Sequence, residues 1–267
     1  MILCSSVVRS ADTMEDALAA IGGAGFRDVD LMAIGRWAHF NPAELAADYG
    51  GVVGRVEAAL SGNGLTMRAM NIGMNAQMHD RRRESVEANL RELGALCKLM
   101  RYFGVGHCAL QPLQKDASRP AADVLRDSVD SLEEYYGCAS RHGVSLGLEL
   151  HNNSPFETVE AARYVYERIP EATIVFDPTH FIMDGLTLQD SEFVMGKAVH
   201  CHIRDAGPGM IQARLGEGTV DFAWIVRRFN ELGYEGHLSI EYLHNDEWDA
   251  LAEAVRLKAL LEGLLAG

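Results

Sequence analysis

The sequence predicts an α/β protein, a (β/α)8 TIM barrel forming one domain over residues 1–267. Three observations carry that prediction. Eight short apolar runs suited to strands alternate with longer segments whose apolar residues recur at three- and four-residue spacing. Glycine repeatedly separates the end of a helical segment from the next strand. The turn after the first strand, "VVRSADTMEDAL", has neither the GxGxxG nor the lysine that an open, doubly wound nucleotide-binding sheet would place there. At 267 residues the chain has the length at which such barrels occur.

In order, the strand runs are ILCSSVV (2–8), RDVDLMA (27–33), LTMRAMNI (65–72), HCALQP (107–112), VSLGLELH (144–151), TIVFD (173–177), AVHCHIRD (198–205) and HLSIEY (237–242). Among the helical segments, one carries Val86, Leu90, Leu93, Cys97 and Met100, and another carries Phe222, Ile225, Phe229 and Leu232. The last carries Ala254, Leu257, Leu261 and Leu264. The stretches "GAGF", "GNGL", "RHGV" and "LGYEG" supply the glycine punctuation. In "GEGTVDF", Asp221 is placed to cap the helix that follows, and Glu217 is read as solvated.

Composition narrows the function. With 48% apolar residues the chain can bury a full core, and no run of 18 apolar residues is present to cross a membrane. The opening MILCSSVVRS is too short and too weakly flanked for a signal peptide. Its five cysteines (Cys4, Cys97, Cys108, Cys138 and Cys201) form no CxxC pair and read as reduced thiols of a cytoplasmic protein. A formal net charge of −14 opposes binding to a nucleic-acid backbone, though not to a small anion held locally. The expected partners are a small carbohydrate and further copies of the same chain, with no nucleic acid and no membrane.

Chemistry in such barrels sits where the strands end. There the fifth strand offers Glu149 and His151, the sixth Asp177 and His180, the seventh His200, His202 and Asp205, and the eighth Glu241. Side chains alternate along a strand, so Glu149 faces the same way as His151, and His200 the same way as His202. One glutamate at a strand end is ordinarily a solvated loop residue, and one strand histidine ordinarily a core residue bonded to a carbonyl. Four consecutive strands each delivering an acid or a histidine to one rim is harder to explain in that way. Two Glu, one Asp and one His form an oxygen-rich set suited to one divalent ion, Mn²⁺, Co²⁺ or Mg²⁺, with Zn²⁺ as an alternative. A cation would also explain Asp177, a carboxylate closing an apolar strand, where burial without a partner costs several kcal/mol, roughly. Trp37 and His39 follow the second strand, where an aromatic ring could wall a pocket. Asn71 and Gln111, at the ends of the third and fourth strands, could bond sugar hydroxyls. His107, at the start of its strand, is at the wrong end for catalysis. Arg204 and Lys197 are the candidates for a phosphate contact, but no cluster marks such a site.

The segments "LGLELH", "VFDPTHF", "VHCHIRDA", "LGEGTVDF" and "LSIEY" resemble the successive signature segments of the xylose isomerase-like barrel superfamily. That superfamily includes sugar phosphate isomerase/epimerase proteins, ketose 3-epimerases, inosose dehydratases and zinc-dependent apurinic endonucleases. The resemblance is close over the second half of the chain and rests on the rhythm of elements over the first. It implies metal ligands at Glu149, Asp177, His202 and Glu241, the second histidine of the HxH pair being the ligand. It further implies substrate contacts at His180 and, with a different spacing from His202, at Arg214.

The endonuclease branch also needs an Asp-x-His pair between the seventh and eighth strands. The interval "GPGMIQARLGEGTVDFAW" contains no histidine, which together with the acidic balance argues against DNA repair. A single metal flanked by two carboxylates suits proton abstraction next to a carbonyl, the ion stabilising the enediolate that forms. Glu149 and Glu241 could then serve opposite faces of one substrate carbon, one removing the proton and the other returning it. The expected function is therefore a metal-dependent isomerase or epimerase acting on a small polyhydroxy keto compound. The alternative is a metal-dependent lyase or dehydratase on a keto-inositol or keto-sugar. A barrel that binds sugar without turnover is disfavoured, because both carboxylates suited to acid/base work are present.

Overall fold

A computed structural model describes residues 1–35 and 37–267. Eight parallel strands close into a barrel in chain order, with the first hydrogen-bonded to the eighth. They are β1 (Ile2–Ser5), β2 (Asp28–Ile34), β3 (Thr66–Gly73), β4 (His107–Leu110), β5 (Ser145–Glu149), β6 (Thr173–Phe176), β7 (Ala198–Ile203) and β8 (Leu238–Ile240). Each falls inside, or within one residue of, a run read from the sequence. The first is shorter than expected because Ser5 accepts from Val7 N and opens a 3-10 turn over Ser6–Arg9.

The crossovers are helical. They comprise α1 (Met14–Gly23), α2 (Pro42–Ala47), α3 (Tyr49–Gly62), α4 (Arg83–Tyr102), α5 (Ala121–Arg141), α6 (Val159–Arg168), α7 (Pro178–Met183), α8 (Glu192–Met195), α9 (Phe222–Glu231) and α10 (Ala250–Ala266). One helix per strand was expected; the β2–β3 and β6–β7 connections carry two each. The first of these is divided at Asp48, which closes α2 and caps α3 through Gly51 N. Asp221 caps α9 by accepting from Trp224 N, as its sequence position implies. Gly64 and Gly143 close α3 and α5 at φ of 61° and 67°, a region in which a Cβ is unfavourable.

Alternation along the strands sorts the two faces of the sheet. On β7, Cys201 and Ile203 join the apolar layer under the helices, so His200, His202 and the following Arg204 point into the barrel. On β5, Leu146 and Leu148 take the outer face and Glu149 the inner; on β6, Ile174 and Phe176 are outer and Asp177 is inner. On β8, Leu238 and Ile240 are outer while Ser239 and Glu241 are inner; on β2, Val29, Leu31 and Ala33 are outer and Asp30 is inner. The apolar layer thus locks the register that turns the polar side chains to the axis. No helix is long and apolar enough to cross a membrane among the described residues. All five cysteines are buried and unpaired.

Candidate metal centre and active site

Glu149, Asp177, His202 and Glu241 each bring one donor atom to a common point, all four atoms lying within 4.8 Å of one another. All four side chains are buried. They leave the carboxyl ends of β5, β6, β7 and β8, the rim where the sequence places them.

Each carboxylate is anchored by neighbouring donors. Glu149 Oε2 accepts from Gln111 Nε2, while Oε1 lies 2.9 Å from His202 Nδ1. Asp177 Oδ1 accepts from Thr179 N at 2.8 Å and Thr179 Oγ1 at 2.6 Å, while Oδ2 accepts no hydrogen bond among the described residues. Glu241 Oε1 accepts from Asn71 Nδ2 at 2.8 Å, and Oε2 accepts from Arg204 Nη1 at 2.8 Å and lies 3.2 Å from His202 Nδ1. Asn71 and Gln111 therefore brace carboxylates, whereas the sequence reading turned them toward a sugar.

Arg204 is fully buried, and its guanidinium also lies 3.2 Å from Asp177 Oδ2. Backbone acceptors anchor it further: Nη1 donates to Glu241 O at 3.0 Å and Nε to Ile211 O at 3.1 Å. That corrects its reading as a phosphate contact, because its charge is already opposed by two carboxylates. Lys197 sits at the other end of β7 and donates to Pro170 O.

These charges set the protonation. Burial raises the Glu241 carboxyl; His202 and Arg204 oppose the rise and Glu149 adds to it, leaving it near 8. Burial acts the same way on Glu149, but His202 overcomes it and holds that carboxyl below its ordinary range. Two carboxylates on one ring cannot both ionise freely, and the pair splits. Burial alone would lower His202; Glu241 and Glu149 reverse this and raise it well above an ordinary imidazole. Asp177 is likewise held below the usual range, Arg204 and His180 outweighing its burial.

His180 and His151 stand beside the cluster with ring centroids 4.1 Å apart. His180 Nε2 is 3.4 Å from Asp177 Oδ2 and 3.9 Å from Glu149 Oε1. Burial depresses it to about 3, so it is a neutral ring. His151 is half-buried, its Nδ1 donating to Asn152 O. Trp37 lies just beyond β2 with its ring half exposed, and His39 Nε2 bonds Ser6 O at 3.0 Å.

Arg214 does not reach the cluster. It is exposed, with Nε 3.3 Å from Glu253 Oε1 on α10. The cause is the preceding fold of the chain: Asp205 accepts from Ala206 N and Val220 N through Oδ1, and from Gly216 N and Gly218 N through Oδ2. This wraps the 206–220 loop around one carboxylate and leaves Arg214 on its outer side. Glu217 is exposed, as expected.

The sequence reading missed Asp30. Its Oδ2 lies 2.8 Å from His200 Nε2 and 3.3 Å from His202 Nε2, with all three residues inaccessible to solvent. Burial alone would raise its carboxyl, and the two rings hold it well below the usual range. A signal was present: an aspartate within the apolar run "RDVDLMA" is the same anomaly as Asp177. His107 closes the opposite end of the barrel, 4.9 Å from His237 and 5.7 Å from His200 between ring centroids.

The donor set fits a divalent ion. Three carboxylates and one imidazole converge, and Asp177 Oδ2, which accepts no hydrogen bond among the described residues and faces the Arg204 guanidinium at 3.2 Å, is a buried acceptor of the kind a cation satisfies.

The sequence profile of the family described as xylose isomerase-like TIM barrel matches residues 17–260. Comparison with curated proteins finds no match. Among solved structures, an L-ribulose 3-epimerase superposes with a TM-score of 0.74 at 21% identity, covering 99% of this chain and 95% of that one. The D-allulose 3-epimerase from Methylomonas sp. in complex with D-allulose gives 0.76 at 16% identity, covering 98% and 96%. The IolI protein with a bound zinc atom gives 0.73 at 16%, covering 99% and 98%.

Proposed function

Since the chain belongs to the xylose isomerase-like TIM barrel family, we propose that it is a divalent-metal-dependent epimerase or isomerase of a small polyhydroxy ketone. The observation that carries this reading is the convergence of Glu149, Asp177, His202 and Glu241 on one point at the carboxyl end of the barrel. Those four residues would hold the ion. The similar folds of an L-ribulose 3-epimerase and a D-allulose 3-epimerase support the substrate class, and the zinc in the IolI structure supports the ion. A bound divalent ion supplies Lewis-acid polarisation of the substrate carbonyl.

The remaining work falls to side chains of this chain. Glu149 and Glu241 rise from β5 and β8 and approach the shared centre from different strands, so each can address one face of a carbon placed between them. One takes the α-proton on a carboxylate oxygen and the other delivers a proton to the opposite face, which inverts the centre. Transfer to the neighbouring carbon gives isomerisation instead. Gln111 and Asn71 fix the orientation of the two carboxylates by donating to Glu149 Oε2 and Glu241 Oε1. His180 and His151 contact the substrate, and neutral His180 can donate a hydrogen bond or accept one. Trp37 walls the mouth of the pocket. Buried walls keep bulk water from the proton in transit.

Incubation of the protein with a panel of ketoses in deuterated water tests the proposal. Label uptake at the carbon beside the carbonyl, with inversion at that carbon, is expected. Loss of water from the sugar would place the chain among lyases, and no exchange with any metal-loaded sample would remove the reading.

A further inference from the structure

Beneath the carboxylate cluster, Asp30 meets two imidazoles through a single oxygen. Its Oδ2 lies 2.8 Å from His200 Nε2 and 3.3 Å from His202 Nε2, although the residues are separated by 170 and 172 positions in the chain. An ionised carboxylate only accepts, so each Nε2 that faces it carries hydrogen. His202 is then left with Nδ1 toward Glu149 Oε1 at 2.9 Å and Glu241 Oε2 at 3.2 Å. The ring therefore stands between two sets of buried carboxylates, and the lower one determines which nitrogen is free to bind a cation.

We propose that Asp30 is a positioning residue that fixes His202 as an Nδ1 metal ligand, with His200 holding Asp30 from its other side. The inference rests on the reading of the cluster as a divalent-metal site. A neutral imidazole has one lone pair. Placed on Nε2, that lone pair would face a buried carboxylate at 3.3 Å with no hydrogen between them; placed on Nδ1, it points at the shared centre. His200 packs edge-on against His202, with ring centroids 5.1 Å apart at 88°, so the two rings brace each other while sharing the carboxylate. Carboxylates that orient a metal-bound histidine in this way typically account for about 10–100-fold in metal affinity.

Asp30, His200 and His202 also form a donor set that could in principle bind a cation directly. The test separates the two roles. Metal-stripped wild-type and Asp30→Asn proteins are titrated with Zn²⁺ by calorimetry, and imidazole ¹⁵N spectra are recorded on the zinc-loaded forms. The expected result is one ion per chain in both, with affinity lower by about 10–100-fold in Asp30→Asn. The wild-type spectrum should show zinc on His202 Nδ1 and hydrogen on Nε2. His200→Gln, which keeps an amide donor for Asp30 but not a rigid ring, should lose affinity in the same direction and to a smaller extent. If Asp30→Asn does not fold, the wild-type nitrogen assignment and the His200→Gln affinity decide the question. Equal affinity in wild type and Asp30→Asn, or zinc on Nε2, overturns the proposal and leaves the metal reading standing. Two ions per chain, one of them lost in Asp30→Asn, would make Asp30 a ligand and also overturn it. A wild-type chain that takes up no zinc overturns the metal reading and this proposal together.

Discussion

Thr179 holds one oxygen of Asp177 with both its backbone N–H and its hydroxyl, at 2.8 and 2.6 Å, and leaves the other oxygen buried with no hydrogen bond among the described residues. One carboxylate thus caps the short helix α7 and turns its second oxygen to the barrel axis, where the Arg204 guanidinium lies 3.2 Å away. The division explains how an aspartate can end an apolar strand: its structural oxygen is satisfied locally, and its second oxygen is opposed by the Arg204 charge at the point where the proposed ion would bind.

Protein purified without chelator should contain about one divalent ion per chain, by elemental analysis. Binding should strengthen as pH rises. The raised Glu241 carboxyl, near 8, and the raised His202 ring hold protons that a cation must displace. Each displaced proton makes affinity climb by about tenfold per pH unit below the group's own pKa. Calorimetric titration with Mn²⁺ at pH 6, 7 and 8 measures the slope. A flat profile would mean that the ion does not bind at Glu241 and His202.

Replacing Glu149 or Glu241 by Gln keeps the shape and one ligating oxygen but removes the base. Each change should slow turnover by roughly 10²–10⁴-fold while some metal stays bound. Deuterium wash-in should become lopsided between substrate epimers, and the bias should reverse between the two variants. Equal wash-in from both epimers in either variant would require a single base doing both jobs.

His151→Ala and His180→Ala should keep metal content near wild type while turnover falls, because neither residue belongs to the four converging donors. Metal loss from His180→Ala would move that residue into the ligand set; it stands 3.4 Å from Asp177 Oδ2, close enough for the outcome to be informative.

The far end of the barrel predicts an acid-sensitive fold. Burial pushes His107 and His237 down to about 4 from an ordinary value near 6.5. The unfolded chain takes up these protons first, so the contribution is complete above about pH 6.5 and is lost as pH falls toward 4. The His107 shift corresponds to at most about 3 kcal/mol, and that of the more open His237 to less. Urea midpoints of the chelator-treated protein between pH 7 and 4.5 should fall, and His107→Gln should flatten the decline.

Asp205→Ala would remove the acceptor for four backbone N–H groups of one loop, at a cost of roughly 2–4 kcal/mol in urea denaturation. Gly218→Ala should be comparably damaging, since a Cβ there would collide with the Asp205 carboxylate and the Ala206 carbonyl. Arg214→Ala should cost less than about 1 kcal/mol, its partner Glu253 being also bound by Arg256.

The eight strands were legible because the outer apolar face of each, such as Cys201 and Ile203 on β7, repeats with the strand period. The rim residues were legible because a carboxylate ending an apolar run is costly unless it is used. What remained hidden was pairing across the axis. Nothing in "RDVDLMA" announces that Asp30 meets a histidine 170 residues later, and nothing in "HCHIRDA" shows that Arg204 turns back onto Glu241. Arg214 was misplaced because position along a loop says little about which side of the loop faces the barrel. That side was decided by the bonds to Asp205. A (β/α)8 pattern allots one helix to each crossover, and nothing in the sequence marks Asp48 as the residue that ends α2 and caps α3.

The burial of Arg204 has a consequence for charge neutrality. Glu149, Asp177 and Glu241 would carry three negative charges when ionised; the guanidinium cancels one, and a divalent ion would cancel the other two. Those four charges would then balance within a low-dielectric wall, with the guanidinium tied to two carbonyl oxygens so that it cannot leave, and Asp30 would add one negative charge held by the rings of His200 and His202. A proton passing from a ketose to a glutamate leaves that inventory unchanged, since the charge lost by the carboxylate reappears on the substrate. An uncharged sugar could therefore enter, react and depart without changing the charge the barrel holds, and an anionic group at the reacting end of a ligand would find the Arg204 guanidinium already paired with two carboxylates.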